Sequence, residues 1–391
     1  MKRWLWLCGI GLLGLCGCGK FFVPQNTTGT GTTTTNTGAG DVLYVANTAT
    51  STISAYLVSS TGTLTEVSGS PYTLPSPPVS MAVTPGNTFL YVGVATGILG
   101  YSIGTNGVLT ELNSGTALVS DVLAPTAMAV DSTGGTLLAA GIDLSSGSNE
   151  FEVGGYGIDA TTGALTAGTG YPLPVDTGNT STTAGPIQLY FTPNNELVYL
   201  TLGNGGTEIL TFASGGGLTD TGTKIDLTTN GTSQNGVVAN SASSLLFLSE
   251  TGAGIRVFTI GTNGAPTEIS GSPFKAGTGP TGIVLNPAGT DLYVANKGDG
   301  TIGGFSVAST GTVGALTALG SSPYTAGTLP YSLTLDQSGN YLAVANEGGT
   351  PDLGVYSFDT TTAGKLDAGA TETFGSSPAA SFLVVSTHPS S

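Results

Sequence analysis

From Asp41 onward, short apolar runs alternate with clusters of Gly, Thr, Asn and Pro, and one run returns seven times at a spacing near 47 residues. Its copies are Leu43-Tyr44-Val45-Ala46-Asn47, Leu90-Tyr91-Val92-Gly93, Leu137-Leu138-Ala139-Ala140, Val198-Tyr199-Leu200-Thr201, Leu246-Phe247-Leu248-Ser249, Leu292-Tyr293-Val294-Ala295-Asn296 and Leu342-Ala343-Val344-Ala345-Asn346. The spacing lengthens only between Leu138 and Tyr199, where residues 143 to 150 and 171 to 185 read as loop insertions. A second run follows every copy and carries one aromatic: Tyr56, Tyr101, Tyr156, Phe212, Phe258, Phe305 and Tyr356. Before most copies comes a Pro-led apolar run that ends in a turn signal, as in Met81 to Asn87 and Ile283 to Gly289. After most comes a Thr-Gly-x-Leu-Thr connector, Thr61 to Thr65 and Thr162 to Thr166, with Gly314 to Thr317 a weaker form. Each unit is four short β-forming runs bounded by turn residues. Four strands per roughly 40 to 50 residues predicts a propeller blade.

The two ends decide closure. The first copy lacks its Pro-led strand, and the last segment, Pro378 to Ser386, is such a strand with nothing after it. Together they make one blade, so the expected fold is all-β: a seven-bladed propeller of four-stranded blades, closed by pairing the C-terminal strand with the N-terminal blade. Closure leaves no open edge, whereas an open β-solenoid leaves the complementary truncation of the ends unexplained.

The Leu-Tyr-Val-Ala-Asn runs, the Pro-x-Gly turns before them and the Thr-Gly-x-Leu-Thr connectors resemble the YVTN-type seven-bladed propellers, in particular the lactonase family that includes 6-phosphogluconolactonase and the muconate-lactonizing enzymes. The resemblance covers residues 41 to 388. It implies the propeller fold and, as an expectation, lactone hydrolysis. The repeated residues are those that build blades, so they speak to fold more than to activity.

Composition narrows the setting. Charged residues make up 8% of the chain, against about 25% in an ordinary soluble domain, and Gly supplies 63 of 391 residues. A solvated helical bundle and a charge-patterned coiled coil are excluded. The formal charge of -16 argues against nucleic acid, which is bound through clustered cations. At the N-terminus, Lys2 and Arg3 precede an apolar stretch from Trp4 to Leu15, too short for the ~20 residues a membrane span needs. Leu15-Cys16-Gly17-Cys18 resembles the lipobox of bacterial lipoproteins, with Cys18 the acylated residue; Cys16 fits badly behind the bulky Leu15. The bland alternative is an ordinary cleaved signal with incidental cysteines. All three cysteines lie at positions 8, 16 and 18, so cleavage before Cys18 leaves one thiol and no disulfide. The expected organisation is a signal peptide over residues 1–17, a lipidated Thr/Gly-rich tether over 18–40 and the propeller over 41–391. The expected address is the bacterial cell envelope, with the membrane reached through lipid on Cys18. The partner would be a small molecule or an envelope protein, and the protein a monomer.

In propellers, ligands gather where loops converge on one mouth of the central channel. The loops after the repeated run begin with Asn47, Asp143, Asn204, Glu250, Asn296 with Lys297, and Asn346 with Glu347, which sevenfold repetition would set out as a ring. The alternative is that these Asn and Asp residues are turn formers that bond their own backbone. Opening a lactone needs a carboxylate to activate water and donors for the oxyanion. Glu250 and Glu347 are the candidate bases, with Asp143 or Asp299 behind them. The blades' only cations are Lys224, Arg256, Lys275, Lys297 and Lys365, and the single imidazole, His388, is the fourth residue from the end. The resemblance implies His and Arg groups for anionic lactones, and no position here receives such a set. Arg256 lies two residues before Phe258 on one strand, so it faces the same side and is expected in a buried ion pair. There is no Cys/His cluster for zinc and no nucleophile elbow with a usable His. Gly215-Gly216-Gly217 lacks the Lys of a phosphate loop, and Asp299 with Glu347 lacks a calcium-loop spacing. No metal or cofactor is expected. Two readings follow: a binding or scaffold module, or a hydrolase for a neutral lactone.

Overall fold

The computed structural model describes residues 40–387 except 121–122, 145–149, 170, 176–183, 214, 230, 309–314 and 374–380. The leader, Cys18, the tether and His388 therefore lie outside the described residues. The chain forms seven antiparallel sheets, each a path of four strands, with a short fifth strand added to four of them. In blade 6 the path runs from Pro280–Leu285 innermost through Asp291–Asn296 and Thr301–Val307 to Leu316–Ala318 at the rim. The Pro-led runs are thus the innermost strands and the repeated runs the second strands.

Blade 1 is completed from both ends of the chain. Its innermost strand is the C-terminal Ser381–Thr387, paired antiparallel with Asp41–Asn47 in a register that sets Val42 opposite Thr387 and Tyr44 opposite Val385. The same C-terminal strand packs against Pro330–Leu335 of blade 7, which closes the ring.

The repeat is explained by what its side chains do between blades. The recurrent aromatics of the third strands all lie between 3 and 7% exposed, packed between sheets. The second-strand tyrosines reach further: the hydroxyl of Tyr44 donates to the Gly107 carbonyl at 2.8 Å, Tyr91 to Gly163 at 3.0 Å and Tyr293 to Gly364 at 2.7 Å. Each acceptor lies in the outer turn of the next blade. A buried phenol must find a partner, and these turns supply it. Gly163 is needed there because φ is +70° and a Cβ would strike Phe89 and Leu112 of blade 2. The Tyr of one motif and the Gly of the connector are therefore two halves of one inter-blade fastening.

A further repeat had no place in the sequence reading. Ser70-Pro71-Tyr72, Ser272-Pro273-Phe274 and Ser322-Pro323-Tyr324 follow the rim strands, each with a cis Ser-Pro peptide. Each serine hydroxyl accepts a third-strand N–H, from Ala55, Val257 and Gly304 at 3.0, 3.1 and 2.8 Å. The aromatic then pairs back onto the third strand, Tyr72 opposite Ile53 and Tyr324 opposite Ile302.

Candidate functional site: the channel mouth over blades 4 to 7

The inner and second strands of a blade run in opposite directions, which brings Pro280 opposite Asn296 and Pro330 opposite Asn346. At that end of the ring a cavity of about 510 Å³ opens over blades 4 to 7. Asn204, Ser233 and Asn235 form one wall, and Lys297, Tyr331 and Glu347 the other. The volume suits a small molecule.

Lys297 and Glu347 hold the same repeat position, one residue past the recurrent Asn of blades 6 and 7, and their side chains form an ion pair. Both backbones are anchored alike: Lys297 N–H donates to Gly279 and Glu347 N–H to Leu329, each at 2.9 Å. The Lys297 ammonium also sits 4.9 Å from the centroid of the Tyr331 ring, a cation–π contact. These two are the only charged lining residues among the described residues, and their charges are opposite. The remaining polar lining is carboxamide and hydroxyl. Asn235 is held in place by its own amide, which donates to Thr251 Oγ1 at 2.9 Å and to the Pro280 carbonyl at 3.1 Å.

Of the sequence candidates, the structure brings Asn204, Lys297 and Glu347 to this cavity. Asn47, Asp143, Asn296 and Asn346 are buried within the blades. Asn296 and Asn346 clamp the loop that leads into their own blade: their Oδ1 atoms accept the N–H of Gly277 and of Gly327, each at 3.1 Å. Asn346 Nδ2 donates to the Pro351 carbonyl at 2.8 Å, and Asn296 Nδ2 to Thr301 Oγ1 at 3.1 Å. A Cβ on Gly277 would fall 2.8 Å from Asn296 Nδ2, so the clamp needs glycine beneath it. Asn47 donates to Ser54 Oγ at 2.9 Å.

Glu250 occupies this clamp position in blade 5. Its Oε1 accepts the Thr228 N–H at 2.8 Å and the Thr232 hydroxyl at 2.7 Å, and it also accepts the Thr228 hydroxyl. Its Oε2 accepts from Gln234 Nε2 at 3.0 Å and from Arg256 Nη1 at 3.1 Å. Arg256 in turn makes a two-pronged bond to Glu268, at 3.0 and 2.7 Å, and donates to the Asp226 carbonyl at 2.6 Å. Burial alone would push the Glu250 carboxyl up, but the bonds from Thr228, Thr232 and Gln234 outweigh it and hold it below the usual carboxylate range. Arg256 holds the Glu268 carboxyl low as well. The wholly buried Glu250 carboxylate is thereby committed to protein donors, and it stands behind the blade 4–5 wall: Gln234, which it grips, exchanges backbone hydrogen bonds with Gly203 at 3.1 and 3.2 Å.

The family model of the lactonase seven-bladed β-propeller matches residues 42–382. The chain belongs to the lactonase family. Among solved structures, this lactonase-family propeller is similar to the periplasmic gluconolactonase PpgL of Pseudomonas aeruginosa, at 16% identity and a TM-score of 0.69 over 89% of this chain and 99% of that one. A Bacteroides fragilis protein provisionally named a 6-phosphogluconolactonase gives 16% identity and a TM-score of 0.71, covering 91% and 100% of the two chains. A protein from Lactobacillus plantarum gives 20% and 0.69, covering 90% and 100%. At these identities the likeness is one of fold. No curated protein matches the chain.

Within the lactonase-family frame, the residues that sequence reasoning missed at the mouth are Tyr331, Asn235, Ser233 and Thr281. All four lie near the starts of inner strands; Thr281 and Tyr331 directly follow the leading Pro of Pro-led runs, a signal that could have found them, whereas Ser233 and Asn235 stand in the blade 5 inner strand, which has no Pro. Asp299, the other acid considered, accepts the Thr278 N–H at 2.6 Å, which holds its carboxyl low.

Proposed function

We propose that this lactonase-family propeller is a binding module for a small, neutral, hydroxyl-rich ring compound, tethered in the bacterial cell envelope. The observation that carries the reading is the pairing of Lys297 with Glu347: among the described lining residues these two opposite charges offset each other, and the rest of the wall is carboxamides, hydroxyls, the Tyr331 ring and the apolar Pro186 and Ile187. Such a wall suits a sugar or sugar lactone and gives little return for a phosphate. The leader sequence and the periplasmic address of the Pseudomonas relative support the envelope setting.

Calorimetric titration with neutral sugars, aldonolactones and their 6-phosphates tests this. Saturable binding of a neutral member, lost in Lys297→Met, is expected; no binding by any neutral compound, or a preference for the phosphates, overturns it. A Cys18→Ala chain should lose acyl labelling and leave the membrane fraction, and retention there would refute the anchor.

The second reading is lactone hydrolysis, favoured by a carboxylate and an ammonium side by side on one wall. Glu347 would take a proton from water as its oxygen adds to the acyl carbon, Lys297 would stabilise the oxyanion, and the ring C–O bond would break as the leaving alkoxide takes up the proton. Hydrolysis above background that persists undiminished in Glu347→Gln would remove this role.

A further inference from the structure

The seam between blades 7 and 1 differs in its chemistry from the seam between blades 3 and 4. In blades 2 to 7 the turn after the inner strand is capped by its first side chain. In blade 3 this is Asp131, whose Oδ1 accepts the Thr136 N–H at 2.6 Å. The neighbouring blade 4 meets it with an amide: Asn195 Nδ2 donates to Asp131 Oδ2 at 3.2 Å, and Asn195 Oδ1 accepts the Ser132 N–H at 3.1 Å. In blade 7 the cap is Asp336, whose Oδ1 accepts the Tyr341 N–H at 2.7 Å. Here the neighbouring blade offers not an amide but a second carboxylate, Asp41, whose Oδ2 accepts the Ser338 N–H at 2.9 Å. The Ser338 hydroxyl donates to Asp336 Oδ2, so one serine ties both acids, and each acid is 5% exposed.

We propose that Asp41 and Asp336 form a proton-operated latch on the closing seam, fastened when one proton is shared between the two carboxylates and loosened when both are ionised. Two buried carboxylates in hydrogen-bond contact cannot both carry charge without repulsion. Burial and the Asp41 carboxyl push Asp336 up to about 7. The other titratable group facing the pair among the described residues is Tyr341 on the second strand of blade 7. Burial and the Asp336 charge raise its pKa, and its hydroxyl donates to the Ser60 carbonyl at 2.9 Å, so it stays neutral over the relevant range. The C-terminal strand contributes uncharged bonds at this seam: Ser386 Oγ donates to the Leu335 carbonyl at 2.8 Å and Gln337 Nε2 to the Ser386 carbonyl at 3.4 Å.

The sign follows from linkage. A carboxyl raised in the folded state binds a proton that the unfolded chain has lost above about 4. Stability from the latch is therefore present below that range and is lost as pH rises toward 7. The experiment is thermal unfolding of the mature chain from pH 5 to 8, with amide exchange of Ser381–Thr387 followed at both ends of the range and corrected for intrinsic rates. The wild type should lose melting temperature as pH rises, and protection of the C-terminal strand should fall about tenfold. Asp41→Asn, which copies the amide of the blade 3–4 seam, should flatten both trends and melt at least about 2 °C above the wild type at pH 8. Asp336→Asn should also flatten them, and His388→Gln should keep the wild-type slope. Parallel slopes in the wild type and either Asp variant, or loss of the slope in His388→Gln, would overturn the latch.

Discussion

Glu250 and Glu347 sit in successive positions of the same repeat, and that offset of one residue sends them to opposite fates. Glu250 stands where blades 6 and 7 have Asn, its side chain turned into the blade, wholly buried and gripped by Thr228, Thr232, Gln234 and Arg256. Glu347 stands one residue later, where the strand has ended and the side chain turns to the channel, 24% exposed beside Lys297. Side chains alternate sides along a strand, so the register with the last strand residue decides whether an acid is mortar or a contact for ligand.

The comparison can be broken most sharply at Glu250. Replacing it with Ala leaves Arg256 short of one buried partner and takes the acceptor from four further donors, the N–H and hydroxyl of Thr228, the Thr232 hydroxyl and Gln234 Nε2, and unfolding in denaturant should show a loss of about 3–5 kcal/mol. Asn346→Ala removes the uncharged form of the same clamp and should cost about 1–3 kcal/mol by the same measurement, because the Gly327 N–H and Pro351 carbonyl lose their partner. A pH series sharpens the blade 5 side. The Glu250 and Glu268 carboxyls are held low in the fold, so their stabilisation is present above about 4.3, the unfolded value, and is lost as pH falls below it. Glu268→Gln should make that acid limb shallower. The smallest effect is expected at the mouth: Lys297→Met should change stability by no more than about 1 kcal/mol while abolishing ligand binding. A large destabilisation in Lys297→Met, or none in Glu250→Ala, would erase the distinction.

Much of the fold was legible because its signals are periodic. The Pro-led runs, the repeated second strand and the orphan strand at the C-terminus translate directly into blade order and ring closure. The site was less legible, since the ring of Asn47, Asn296 and Asn346 was read from chain position alone, and chain position does not say which way a strand's last side chain turns. Arg256 was readable as a buried pair from its two-residue offset to Phe258, but its partners were not: Glu268 lies on the rim strand, reached only once the register is known. Lys297 and Glu347 are 50 residues apart, close to one blade of sequence, and a comparison of equivalent positions in successive repeats would have joined them. Asp41 and Asp336 meet only because the ring closes, so no local pattern announces them.

Strand direction also gives the molecule a front and a back. The cavity lies at the end of the ring where the second strands finish, at Asn296 and Asn346, and in blade 1 that end is Asn47. The chain enters blade 1 at Asp41, the opposite end. On the proposed anchoring through Cys18, the chain would therefore join the propeller at its back. The attachment would then leave the mouth uncovered, open to whatever diffuses past it.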